Sequence, residues 1–115
     1  MDATIYHNPK CGTSRRVLEA LEAAGIRPKV IEYLKTPPSR AELAELARQM
    51  GMRPFDMLRR KGTLAAEMGV DGPSVGDDAI LDAMAREPAL IERPIVVTPK
   101  GARLCRPPER VDEII

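Results

Sequence analysis

The sequence predicts one α/β domain: a βαβ unit at the front, a helical block at about 39–92, and a ββα segment at the end. Three observations carry that expectation. Short runs of strand formers at 3–7 and 29–33 flank a helical apolar pattern at about 12–24. Such a strand–helix–strand order with short joints implies a right-handed crossover between parallel strands. Between 39 and 92 the apolar residues fall at helical spacing between Gly and Pro breaks. After 93 the pattern returns to β, with an apolar run, a turn and a returning run.

A chain of 115 residues suits a single domain with a modest core. No internal repeat, low-complexity tract or domain-scale linker interrupts it, so the helical block reads as an insertion within one domain, 1–115. Apolar residues make up 43% and aromatics only 3%, with no Trp, so Leu, Ile, Val, Met and Ala must fill the core. Eighteen basic against seventeen acidic residues leave a net charge of +1, which gives no reason to expect nucleic acid or an anionic membrane as partner. No apolar run is long enough to span a bilayer, and the first residues lack the pattern of a signal peptide. A cytoplasmic, reducing location is therefore expected, with Cys11 and Cys105 as thiols rather than a disulfide. Two cysteines and one histidine are too few for an ordinary structural zinc site, and no metal is expected.

Taken in order, Ala3 to His7 alternates small or apolar with polar residues and reads as a strand. Asn8-Pro9 is a turn signal. Val17, Leu18, Leu21 and Ala24 form one helical face, with Gly25 as the residue just past the helix end. Lys29 to Tyr33 is a second strand. Thr36-Pro-Pro-Ser breaks the chain, and Ser39 with Glu42 forms a capping box for a helix bearing Leu43, Leu46, Ala47 and Met50. Pro54 opens a short helix with Phe55 and Leu58 as apolar contacts. A further short helix is expected at 63–69. Asp77 is expected to cap a helix bearing Ile80, Leu81 and Met84, which stops before Pro88. Pro94 to Thr98 is a strand, Pro99-Lys-Gly101 a turn, and Ala102 to Cys105 its hairpin partner. A short terminal helix is expected from Glu109 to Ile115.

This order puts Cys11 where a helix begins. A thiolate, not a thiol, is the nucleophile, and a helix N-terminus or nearby cations lower a cysteine pKa into the physiological range. The amides of Gly12, Thr13 and Ser14 are unpaired at that end and form a cradle for an anion. Lys10, Arg15 and Arg16 add positive charge nearby. The blander alternative is a structural cysteine packed as a small hydrophobe. Two sharper motifs fail. A Cys-x-x-Cys dithiol needs a cysteine where Ser14 stands, so the site is a monothiol. A Cys-x5-Arg phosphatase loop needs an arginine where Val17 stands. His7 has two readings: a partner or proton shuttle for the thiolate, or a polar residue ending a strand. Cys105 reads either as a resolving thiol or, preferably, as a core residue of the last strand. Arg93 and Arg106 bracket the hairpin, each before a proline, and a planar guanidinium suits a tetrahedral oxyanion.

Ile5-Tyr-His-Asn-Pro, Cys11-Gly-Thr-Ser-Arg15, Tyr33-Leu34, Pro37-Pro-Ser-Arg40, Met50-Gly51, Leu58-Arg59, Arg93-Pro-Ile-Val-Val-Thr-Pro99 and Leu104-Cys-Arg-Pro107 together resemble the glutaredoxin-linked arsenate reductases of the ArsC family, in register from about 4 to 110. The resemblance implies a thioredoxin-like (glutaredoxin-like) fold with a helical insertion, and a cis peptide bond before Pro94. It implies Cys11 as the nucleophile forming a thiol–arsenate intermediate, and Arg59, Arg93 and Arg106 as ligands of arsenate and then arsenite. It implies His7 as an aid to the thiolate, glutathione as co-substrate, glutaredoxin as partner, and no bound cofactor. Residue patterns alone do not single out Arg59, because Arg59-Arg60-Lys61 looks like a solvated charge run. Two other functions on the same fold stand beside this one: a glutathione-dependent thiol reductase and a non-catalytic redox regulator. Family members continue past the equivalent of Ile115 with a charged tail.

Overall fold

The computed structural model describes all residues from Met1 to Ile115. They form two compact units: Met1–Thr36 with Arg93–Ile115, and Pro37–Glu92.

The first unit holds the sheet. Its elements are β1 (Thr4–His7), α1 (Gly12–Ala23), β2 (Lys29–Glu32), β3 (Ile95–Thr98) and β4 (Gly101–Leu104), followed by a 3-10 segment, Pro108–Glu113. The strand order is β2-β1-β3-β4. β1 and β2 are parallel, with Ile5 opposite Val30, as the βαβ spacing requires. β3 runs antiparallel to both β1 and β4, with Val96 opposite Ile5 and Arg103. Ile5, Val17, Leu21, Val96, Cys105, Val111 and Ile114 are buried together. β1 alternates, so Ile5 and His7 both turn to its buried side while Thr4 and Tyr6 are partly exposed. Expected bounds shift by a residue: β1 starts at Thr4, α1 ends at Ala23, β2 ends at Glu32, β3 starts at Ile95 and β4 runs Gly101–Leu104.

The terminal segment is a 3-10 helix rather than an α-helix. Val111 is its buried residue, and Ile114, just past its end, is buried three residues on. Leu21 is fully buried at the centre of the cluster. Leu21→Ala should therefore cost about 2–5 kcal/mol of stability. The check is a lowered urea midpoint at unchanged slope.

The second unit is helical: α2 (Arg40–Met50), α3 (Pro54–Met57), α4 (Leu64–Glu67), α5 (Asp77–Arg86) and a 3-10 turn, Pro88–Leu90. The capping box of α2 is present, with Ser39 Oγ accepting from the Glu42 amide at 3.1 Å. Gly51 ends this helix at φ 66°, a left-handed conformation that glycine adopts without penalty. Leu43, Leu46 and Ala47 are buried, whereas Met50 is only partly so. Two expectations are corrected here. Gly76, not Asp77, is the N-cap of α5; Asp77 and Asp78 lie in its first turn, where their charges suit the helix dipole. Phe55 is partly exposed and covered by the Arg60 guanidinium, 4.5 Å from the ring centre, while Met57 takes the interior place. An antiparallel bridge, Leu58 to Ile91, ties the end of α3 to the end of the unit.

Candidate active site

The site starts from one turn. β1 ends at His7, and the chain folds back so that the Cys11 amide donates to the Asn8 carbonyl at 3.0 Å. The Asn8 side chain holds the same turn by accepting from the Lys10 amide at 3.0 Å, a bond its short side chain favours. Cys11 is the N-cap of α1, extended at φ −94° and ψ 121°, and its carbonyl accepts the first helical bond from Arg15. Its sulfur is partly exposed at the positive end of the helix.

Burial raises the Cys11 pKa, and other groups more than offset it. The Ser14 amide lowers it first, then the side chains of Arg93 and Arg106, so the thiol lies below its ordinary value of 9.0. The sulfur makes no capping hydrogen bond of normal geometry, so the Ser14 amide acts through its partial charge. Arg106 Nη1 points at the sulfur from 3.8 Å and also donates to the Arg93 carbonyl at 3.0 Å. The cations that act are thus Arg93 and Arg106 rather than the expected near neighbours. Arg15 donates to the Pro9 carbonyl at 2.9 Å, while Lys10 and Arg16 extend into solvent, where their fields are screened.

The hairpin explains how two residues thirteen apart reach one sulfur. Ile95 faces Leu104 across β3 and β4, and the Cys105 amide donates to the Pro94 carbonyl at 2.9 Å. Arg93 and Arg106 therefore leave the hairpin at the same open end. The peptide bond before Pro94 is cis, as the resemblance implied, and so is the one before Pro107. Arg93 Nε is buried without a hydrogen-bond partner. A buried unpaired donor is costly, and one beside a thiolate is suited to an incoming oxyanion.

His7 and Ser14 form a pair. His7 Nδ1 and Ser14 Oγ are 2.6 Å apart, and both residues are buried. The Ser14 oxygen also accepts from the Asn8 amide at 3.1 Å. Burial lowers the His7 pKa, with Arg15 adding to the effect and Glu32 opposing it. The ring is thus neutral at pH 7 and joined to Ser14.

Arg59 belongs to the helical unit. Its Nη1 donates to Glu92 Oε1 at 2.7 Å, and both side chains are about one-fifth exposed, 18% and 19%. Its backbone amide donates to the Leu90 carbonyl at 2.7 Å. The charge run is therefore not uniform: Arg59 is a half-buried ion pair and Arg60 an exposed cation on Phe55. Neither the Asn8 side chain that holds the Cys11 turn nor the Glu92 partner of Arg59 was legible in the sequence. Asn8 showed only a turn signal, and Glu92 showed none.

Cys105 is fully buried, and burial pushes its pKa up to about 12. Its sulfur lies 3.6 Å from the Arg103 carbonyl. No set of three or more His, Cys, Asp or Glu residues is gathered so as to hold a metal ion, and no helix is long and apolar enough to cross a membrane. At pH 7 the folded chain should react with one equivalent of iodoacetamide, at Cys11. Its rate should rise with pH to a plateau whose midpoint lies below 9.0, because only the thiolate reacts. Cys105 should react only after unfolding, which peptide mapping of the labelled chain would show.

The arrangement joins a thiol of lowered pKa, a row of helix amides and two guanidinium groups, which is the equipment to attack and hold a small oxyanion. The chain is 53% identical to an arsenate reductase of Rhizobium meliloti (strain 1021) over 115 residues, spanning all of this chain and 82% of that one. It is 49% identical to an arsenate reductase of Escherichia coli (strain K12) over 112 residues, 97% of this chain and 79% of that one. A solved arsenate reductase from Vibrio cholerae superposes with a TM-score of 0.95 at 49% identity, covering 100% of this chain and 98% of that one. The four-stranded sheet and its helices are thus the thioredoxin-like fold of these enzymes. The model of the ArsC family matches residues 6–114, from β1 to the terminal 3-10 segment, and by that match and these identities the chain belongs to the ArsC family.

Proposed function

We propose that this protein is an oxidoreductase that reduces arsenate to arsenite, with Cys11 as nucleophile and glutathione and glutaredoxin as reductants. The observation that carries this is the Cys11 thiol at the N-terminus of α1 with Arg106 at 3.8 Å and the unpartnered Nε of Arg93. The names of its relatives supply the oxyanion.

In this mechanism the Cys11 thiolate attacks As(V); an As–S bond forms, an As–O bond breaks, and the oxygen leaves as water after taking a proton. The amides of Gly12, Thr13 and Ser14, with Arg93 and Arg106, hold the remaining oxygens as charge builds on them. The family resemblance adds Arg59 to the oxyanion ligands and His7 to the groups that favour the thiolate. A glutathione thiol then displaces a second As–OH as water. A glutaredoxin thiolate attacks the glutathione sulfur; an S–S bond forms, and the As–S electron pair passes to arsenic, giving As(III). Water cleaves the Cys11 S–As bond, releasing arsenite and the thiol. Because position 14 is Ser, the chain has no second thiol there, and the electrons come from outside thiols. A reducing compartment such as the cytoplasm supplies them.

The test is NADPH oxidation in a mixture of this chain, arsenate, glutathione, glutathione reductase and glutaredoxin. Turnover should need every component. Turnover that needs no arsenate but consumes a glutathione mixed disulfide would make the protein a thiol reductase instead. No turnover with a range of glutaredoxins would reject the reductase.

A further inference from the structure

The Ser14 hydroxyl sits at a junction that the proposed chemistry does not use. It is completely buried, yet its oxygen meets two groups from the segment before the nucleophile: His7 Nδ1 at 2.6 Å, at the end of β1, and the Asn8 amide at 3.1 Å, in the turn. Its own backbone amide is the protein dipole that lowers the Cys11 pKa most. Asn8 in turn holds the Cys11 amide through its carbonyl at 3.0 Å. One side chain therefore fastens three pieces: the strand end, the turn that carries the sulfur, and the first turn of the helix.

We infer that Ser14 is the positioning residue of this site, its hydroxyl locking the helix amide against the Cys11 sulfur, and that His7 acts on the sulfur only through it. The hydrogen-bond inventory supports this. A neutral imidazole with Nδ1 unprotonated accepts the Ser14 O–H, leaving the Ser14 oxygen free to accept the Asn8 N–H; the three groups that meet at that oxygen are then all paired. A serine hydroxyl both donates and accepts at that short reach. Alanine there would strand a buried ring nitrogen and a buried amide, and would free the turn to drift from the helix axis. A dipole acting on a sulfur through space is sensitive to such drift, since the interaction falls with distance and angle. The charged groups acting on His7 are Glu32, on β2, and Arg15, on α1.

The inference rests on Cys11 being the reactive thiol. The experiment is the pH dependence of Cys11 alkylation by iodoacetamide in the full chain, read as a midpoint. The variants are His7→Phe, Ser14→Ala and the double variant, with melting temperatures measured alongside. Ser14→Ala should raise the midpoint by about one pH unit, about tenfold less thiolate below it. His7→Phe should raise it too, and the double variant should match Ser14→Ala rather than the sum. A changed melting temperature with an unchanged midpoint in Ser14→Ala would overturn the inference, because packing alone would then explain the residue. Additive shifts would overturn it as well, since His7 would then act on the sulfur without Ser14. Should Ser14→Ala not fold, Ser14→Gly takes its place in the same comparison with His7→Phe and the double variant, and the same outcomes decide. A wild-type midpoint at an ordinary thiol value would reject both the inference and the nucleophile. A lowered midpoint without arsenate turnover would reject the reductase alone.

Discussion

Cys11→Ser should abolish arsenate-dependent turnover, by about 10³-fold or more, while leaving the fold intact. The size follows from the chemistry: an alcohol is far less acidic than a thiol, and neither the helix amides nor two arginines bring a serine hydroxyl near ionisation at pH 7. A Ser–As ester would in any case not form the S–As–S arrangement from which a dithiol reduction proceeds. The fold should survive because the sulfur is partly exposed and makes no capping bond of normal geometry. Serine is itself a good N-cap, so the variant should be as stable as the parent or slightly more so. The coupled NADPH assay gives the first number and thermal melting the second. By contrast, Cys105→Ala should retain turnover at somewhat lower stability, because Cys105 is a buried core residue with its pKa at about 12.

Arg93→Ala should lower kcat/KM by about 10²- to 10³-fold, the range seen when a donor to a developing oxyanion is removed. It should also raise the Cys11 alkylation midpoint, because Arg93 acts on the sulfur both as a donor and as a charge. Stability should respond differently. The buried Nε has no partner in the free protein, so its removal ends a desolvation penalty and should leave the melting temperature unchanged or raised. Function and stability would then move in opposite directions at one residue, which a structural arginine would not do. Arg106→Ala should lose activity similarly but with a stability cost, since its Nη1 also holds the Arg93 carbonyl. Lysine should restore only part of the activity at either position, because a point charge does not reproduce a planar fork.

Much of the framework was legible from local pattern. Ser39 with Glu42 announced α2, and Gly51 its end, since each acts within one turn. The alternation of β1 and the helical spacing of Val17 and Leu21 place Cys11 between strand and helix from local pattern alone. What local pattern missed was decided by distant partners or by small differences between neighbours. Gly76 and Asp77 are both acceptable caps, and the backbone chose the glycine. Phe55 looked like core by type, yet Met57 took the interior and an arginine covered the ring. Arg59 and Arg60 are indistinguishable by sequence; an ion pair with Glu92, thirty-three residues away, separates them. The pairing of His7 with Ser14 spans seven residues and joins a strand to a helix, so neither period predicts it.

The most direct test is to mix the chain with arsenate and glutathione, omit glutaredoxin, quench with acid and analyse the peptides by mass spectrometry. The proposed mechanism stalls at its glutathione-bearing intermediate under those conditions. The peptide containing Cys11 should therefore carry both arsenic and glutathione, and adding glutaredoxin should discharge it with release of arsenite. An unmodified Cys11 peptide, or arsenite release by Cys11→Ser at the parent rate, would contradict the account.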